Sequence, residues 1–112
     1  MKKTKLGEFE EFVLLTVVLL KDRAYGVEIK KELEKRLSQT LSVGSIQSAL
    51  KRMEEKGFLD SAFGEATNKR GGKRKRIYTA TPMAHGVLKE MREIREGLWA
   101  NISLSDVKQQ TI

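Results

Sequence analysis

Apolar residues recur along the chain at spacings that predict four helices and one hairpin. The first block runs from Leu6 to Asp22, with apolar side chains at Leu6, Phe9, Phe12, Val13 and from Leu15 to Leu20, broken by Thr16. Toward its end the apolar surface wraps almost all round, the pattern of a helix covered by neighbours on several sides. Val17 and Val18 lean toward strand, but the length of the block favours helix. After the polar break Lys21-Asp22-Arg23, the positions Val27, Ile29, Leu33 and Leu37 keep helical spacing, while Lys30, Lys31, Glu34, Lys35 and Arg36 face outward. Ser38-Gln39-Thr40 forms a turn, and Ser42 is a good N-cap for a third helix. Its apolar stripe is Val43, Ile46, Ala49, Leu50 and Met53, opposite Gly44, Ser45, Gln47, Ser48, Lys51, Arg52 and Glu55. Gly57 then supplies the left-handed residue that commonly ends a helix.

Beyond Gly57 the period changes. Phe58 to Phe63 predicts a strand, Gly64 to Gly72 a loop, and Arg74 to Thr79 the returning arm of an antiparallel hairpin. Thr81-Pro82 opens a last helix with an N-cap and a proline at the first helical position, continuing to about Ile102. Within it Ala84, Val87, Met91, Ile94 and Leu98 alternate spacings of three and four, an a/d-like seam of two heptads. Met83, Leu88, Trp99 and Ile102 widen that seam. So much apolar surface must cover the domain's own core or meet a second chain, and pairing into a homodimer is the expectation. Ser103 to Ile112 has weak periodicity and is expected to fray. The order helix, helix, helix, hairpin, helix is that of a winged helix-turn-helix: mainly α with a small antiparallel hairpin. Residues 1–80 read as a DNA-binding domain and 81–112 as a C-terminal dimerisation helix and tail.

Charge adds a partner to this picture. The 112 residues hold 22 Lys+Arg against 15 Asp+Glu, a net charge of +7. That balance argues for a polyanion, either nucleic acid or an anionic membrane surface. Six of the cations, Lys69, Arg70, Lys73, Arg74, Lys75 and Arg76, crowd the tip and second arm of the hairpin around Gly71-Gly72. A glycine-bent cationic tip suits a phosphate backbone; the alternative is a solvated loop. On the third helix, small polar groups at the N-terminal end followed by cations match a helix in the major groove, with tip residues on base edges and Lys or Arg on phosphates. Ser45, Gln47, Ser48, Lys51 and Arg52 are the candidates there, and Lys73, Arg74 and Arg76 the candidates on the adjacent backbone.

Other chemistry is sparse. With no cysteine and one histidine, His85, neither a zinc site nor a His-based relay can be assembled. His85 reads as a packing or capping residue, and Tyr78 as a cross-strand packing residue. Glu8, Glu10 and Glu11 sit where carboxylates favour a helix N-terminus. No nucleophile, base and orienting partner occur together, so no enzyme, metal or cofactor is expected. The run Val13 to Leu20 is too short for a bilayer, and the three glutamates before it do not fit a secretory signal. The expected location is cytoplasmic, without a membrane partner.

Several of these residues also carry a family resemblance. Tyr25-Gly26 opens the second helix. Gly44-Ser45-Ile46 and Ala49-Leu50-Lys51-Arg52-Met53-Glu54-Glu55-Lys56-Gly57 run through the third. Gly71-Gly72-Lys73-Arg74 lies in the wing, and Tyr78-Thr79-Ala80-Thr81 leaves it. In this order and at these separations, across roughly Leu6 to Leu98, the chain resembles the PadR-type bacterial transcriptional regulators. It departs from them at Gln47, where an aromatic residue is usual, at Ser48, where proline often follows, and at Ala80 and Ala84 in place of leucine and glycine. The resemblance implies a homodimer that represses promoters and is relieved by a small molecule, often phenolic or hydrophobic, with the last helix and often the first forming the dimer. Trp99 lies near that seam, either as an aromatic wall for a flat ligand or as plain interface packing. A protein-interaction adaptor on the same scaffold is the alternative function. RNA binding ranks lowest, because aromatic residues for base stacking are few.

Overall fold

The computed structural model describes residues 6–64 and 75–102. Its elements are α1 (Glu8–Leu20), a short 3-10 turn (Lys21–Arg23), α2 (Gly26–Leu37), α3 (Val43–Glu55), β1 (Leu59–Phe63), β2 (Arg76–Ala80) and α4 (Pro82–Ala100). The expected wing tip, with Lys69, Arg70, Gly71, Gly72, Lys73 and Arg74, and the tail Ser103 to Ile112 lie outside the described residues.

One core holds these elements together. Val13, Leu14, Val17 and Leu20 of α1 meet Ile29 and Leu33 of α2, the buried stripe of α3 (Ile46, Ala49, Leu50, Met53), and Phe58, Leu59 and Tyr78 from the hairpin. The all-round apolar surface of α1 is only partly used, since Leu15 and Leu19 remain exposed. Local chemistry sets the helix ends. Ser38 adopts φ 56°, and the Glu34 carboxylate accepts the Leu41 N–H at 2.8 Å, which closes the turn into α3. Ser42 caps α3 by accepting the Ser45 N–H at 3.0 Å. Gly57 sits at φ 88°, where a side chain would be strained, and lets the chain reverse into β1.

The two strands pair antiparallel, with Leu59 opposite Ala80, Ser61 opposite Tyr78 and Phe63 opposite Arg76. On its other side β2 is tied to the start of α2: the Tyr78 N–H donates to the Ala24 carbonyl at 3.0 Å, and Tyr25 bridges to Ile77. Thr81 then fixes α4. Its hydroxyl donates to the Gly57 carbonyl at 2.8 Å and accepts the Ala84 N–H at 3.2 Å.

Two sequence-based assignments need correction. Ala84, read as the first residue of a dimer seam, is fully buried with Leu88 in the core of its own chain. Because Thr81 pins α4 to the end of α3, the first two turns have no freedom to leave the domain, and Val87 packs beside them. Met91 is half-buried, and of the five expected seam residues only Ile94 and Leu98 are exposed. Val43, placed in the α3 stripe, is 62% exposed. It is the first residue of the helix, and a helical side chain points toward the N-terminus, so it projects past the packing surface.

Candidate nucleic-acid interface

The outward face of α3 is built by the same residues that build the core. With Ile46, Ala49, Leu50 and Met53 turned inward, Ser45, Gln47, Ser48 and Lys51 are exposed together on the opposite side. Their roles differ in detail. The Ser45 hydroxyl donates to the Ser42 carbonyl at 2.9 Å, so its proton is used within the first turn and only its lone pairs face outward. Gln47 lies over the start of α2: a Cβ on Gly26 would come within 2.9 Å of its amide nitrogen. The glycine therefore allows the start of α2 to approach Gln47 of α3 closely.

Arg52 lies differently. Its Nε donates to Glu10 Oε2 of α1 at 2.8 Å, and Lys56 Nζ reaches Glu10 Oε1 at 3.4 Å. The Glu10 side chain is only 8% exposed. Burial alone would push its carboxyl up, but Arg52, the Gly7 N–H and Lys56 outweigh that and hold it below the ordinary value. Arg52 thus ties α3 to α1 through Nε, while its side chain stays 50% exposed.

Of the wing cations expected on the backbone, Lys73 and Arg74 lie outside the described residues. Arg76 is exposed but held. Its Nη1 donates to Ser61 Oγ at 2.7 Å, and its guanidinium stacks 4.5 Å from the centre of the Phe63 ring. Ser61 in turn donates to Glu54 of α3 at 2.6 Å, so hydrogen bonds join the hairpin to α3. Lys75, one of the six hairpin cations, lies 5.3 Å over the Tyr25 ring at the start of α2. Hydrogen bonds and ring contacts thus connect α3, the α2 N-terminus and the base of the wing.

Comparison with known proteins agrees with this geometry. The sequence model described as the transcriptional regulator PadR-like family matches residues 14–90, from the middle of α1 through the first half of α4. The chain belongs to the PadR-like family. Among solved structures it is similar to a PadR family transcription regulator from Clostridium difficile, with 28% identity, 82% of this chain and 92% of that chain covered, and a TM-score of 0.66. A PadR-like regulator from Bacillus cereus shares 20% identity over 93% of each chain, with a TM-score of 0.67. H. salinarum RosR shares 17% identity over 98% of this chain and 92% of that one, with a TM-score of 0.68. The last two show the fold alone. No curated protein matches the chain. The protein is accordingly a winged-helix, DNA-binding transcriptional regulator and not an enzyme.

The face of this PadR-like chain away from α3 holds a second feature. An open groove of about 670 Å³ runs between α1 and α4, floored by Leu15, Val18, Leu88 and Trp99. Across it Arg95 clamps Glu11, donating to both carboxylate oxygens at 2.7 Å. Trp99 is 61% exposed at its edge, and Ile94 and Leu98 are exposed on the same distal half of α4. His85 lines the groove. Tyr78 is buried between the hairpin and the helices, the packing role expected of it; burial pushes its hydroxyl up, with Arg76 opposing and Glu54 adding to the effect.

The α1 carboxylates sit at the helix N-terminus, where Glu10 accepts the Gly7 N–H at 3.2 Å. Their long-range partners are not visible in the sequence. Arg52 and Arg95 lie 42 and 84 residues away, and no local pattern marks such pairs. Among the described residues no helix is long and apolar enough to cross a membrane, and no cluster of three metal-ligating side chains occurs.

Proposed function

We propose that this regulator acts as a homodimeric repressor. Each subunit inserts α3 into the major groove and lays its wing along the adjacent backbone, and a small flat hydrophobic molecule relieves repression. The observation that carries the reading is the division of the exposed surface. Polar Ser45, Gln47, Ser48 and Lys51 face one way, while apolar Ile94, Leu98 and Trp99 face another. The first set has donors, acceptors and charge for a duplex, with Gln47 suited to adenine through paired hydrogen bonds. The second set lies on the distal half of α4 and is left uncovered by the described residues, and a second copy of α4 is its proposed cover. Trp99 and the groove beside it supply a wall and a volume for an effector of aromatic or hydrophobic character.

Selecting duplexes from a random pool tests this. The selected sites should be near-palindromic, with half-sites about one turn, roughly 34 Å, apart. Gln47→Ala should change which sequence is selected, whereas Lys51→Ala, Lys73→Ala or Arg74→Ala should weaken all duplexes alike. With about four phosphate contacts per subunit, the logarithm of affinity should fall against the logarithm of salt with a slope near about −7 for the dimer. A titration flat in salt, or an exchange of the Gln47 and Lys51 outcomes, overturns the assignment of roles.

A further inference from the structure

The first turn of α3 presents an apolar group exactly where a reading helix enters a groove. Val43 is the first residue of the helix and 62% exposed, so it contributes little to the core that the rest of its stripe builds. A single exposed valine is ordinary on a protein surface. What distinguishes this one is its surroundings. The polar groups beside it are partly engaged within the turn: Ser42 Oγ accepts the Ser45 N–H at 3.0 Å, and Ser45 Oγ donates to the Ser42 carbonyl at 2.9 Å. At the neighbouring Gly44, a Cβ would meet nothing within 4 Å, so the chain's own packing leaves this side open to an approaching molecule. Among the described residues, the tip of α3 therefore offers the two methyl groups of Val43 with clear access, beside hydroxyls each committed to one bond within the turn.

Val43 and Gln47 are four residues apart on one helix and share a face. At 1.5 Å rise per residue they are about 6 Å apart along the helix axis, near enough for both to reach neighbouring base pairs of one groove. The major groove displays one apolar group, the C5-methyl of thymine. We propose that Val43 is a specificity-determining residue whose methyl groups pack on the C5-methyl of a thymine, within about two base pairs of the base read by Gln47. This rests on the reading that α3 enters the major groove, and it adds a residue and a base that the polar face alone does not supply.

The test uses the full chain and a duplex it selects from a random pool. Each thymine is replaced in turn, in both half-sites, by deoxyuridine, which removes only the methyl group. One position should stand out. Losing a methyl-sized contact, at about 0.8 kcal/mol each, lowers affinity roughly fourfold per half-site and roughly fifteenfold for the dimer. Val43→Ala should weaken binding to the thymine duplex to a similar degree and lose the distinction between thymine and deoxyuridine, the non-additivity of two groups in contact. Thermal unfolding of Val43→Ala should be unchanged or shifted up, since alanine is the better helix former and the site is exposed.

Two results overturn the proposal: no thymine is sensitive, or Val43→Ala discriminates thymine from deoxyuridine as fully as the natural protein. Gln47→Ala separates this failure from a wider one. If it still shifts sequence preference, only the methyl contact falls. If it does not, α3 is not the reading helix and both readings fall together.

Discussion

Replacing Arg52 by alanine separates the two roles open to a cation on the recognition helix. In the fold Arg52 Nε donates to Glu10 at 2.8 Å, with the carboxylate 8% and the guanidinium side chain 50% exposed. Hydrogen bonds to charged groups contribute about 1.5–3 kcal/mol. Half-exposure of the arginine screens the pair, which lowers that figure. Glu10 would keep Lys56 at 3.4 Å and the Gly7 N–H at 3.2 Å, so the variant does not strand a buried charge. The net expectation is a loss of about 1–2 kcal/mol. For a chain of this size that lowers Tm by roughly 4–10 °C. Circular dichroism melts at one fixed protein concentration read the effect, because a dimer's Tm depends on concentration.

Lys51→Ala is the control. It sits one residue earlier on the exposed face, and its Tm should move by less than about 0.5 kcal/mol equivalent while its affinity for duplexes drops. Glu10→Gln should reproduce most of the Arg52→Ala loss, and the double variant should cost less than the sum of the two. The reasoning is refuted if Arg52→Ala melts like the natural protein and weakens duplex binding as much as Lys51→Ala. Arg52 would then be a phosphate contact, and its pairing with Glu10 would carry no weight.

Two further outcomes follow from the same geometry. Because the folded Glu10 carboxyl is held below its ordinary value of 4.5, it contributes stability that is present above that value and lost as pH falls through the folded one. Chemical denaturation midpoints measured from about pH 6 down to about pH 3 should therefore fall with acid, and Glu10→Gln should remove part of that slope; an identical slope in the variant sinks the assignment. On α4, Leu98 is 64% exposed, and the proposed dimer would bury it in both subunits. At about 1.5–3 kcal/mol for each buried leucine, Leu98→Lys should weaken association at least about a hundredfold and give a monomer by light scattering at micromolar concentration. An unchanged mass would place the dimer contact elsewhere.

Much of this architecture was legible in the chain before any coordinates. Helical periods, the caps at Ser42 and Thr81-Pro82 and the left-handed Gly57 are local signals, and local signals decide local structure. They place α3 and the hairpin in winged-helix order and turn Gln47, Ser48 and Lys51 outward. Periodicity says which face of a helix is apolar, but not how far along that face a neighbour extends. Hence Val43 read as core and is exposed, and Ala84 read as seam and is buried: α3 overruns its packing surface at one end, and Thr81 holds the start of α4 inside the domain. Charge pairing is subject to the same limit. Glu10 with Arg52, and Glu11 with Arg95, meet through space across 42 and 84 residues. Which arginine reaches which carboxylate depends on how the helices pack, so only the tertiary structure decided that Arg52 ties α3 to α1 and that Arg95 ties α4 to α1.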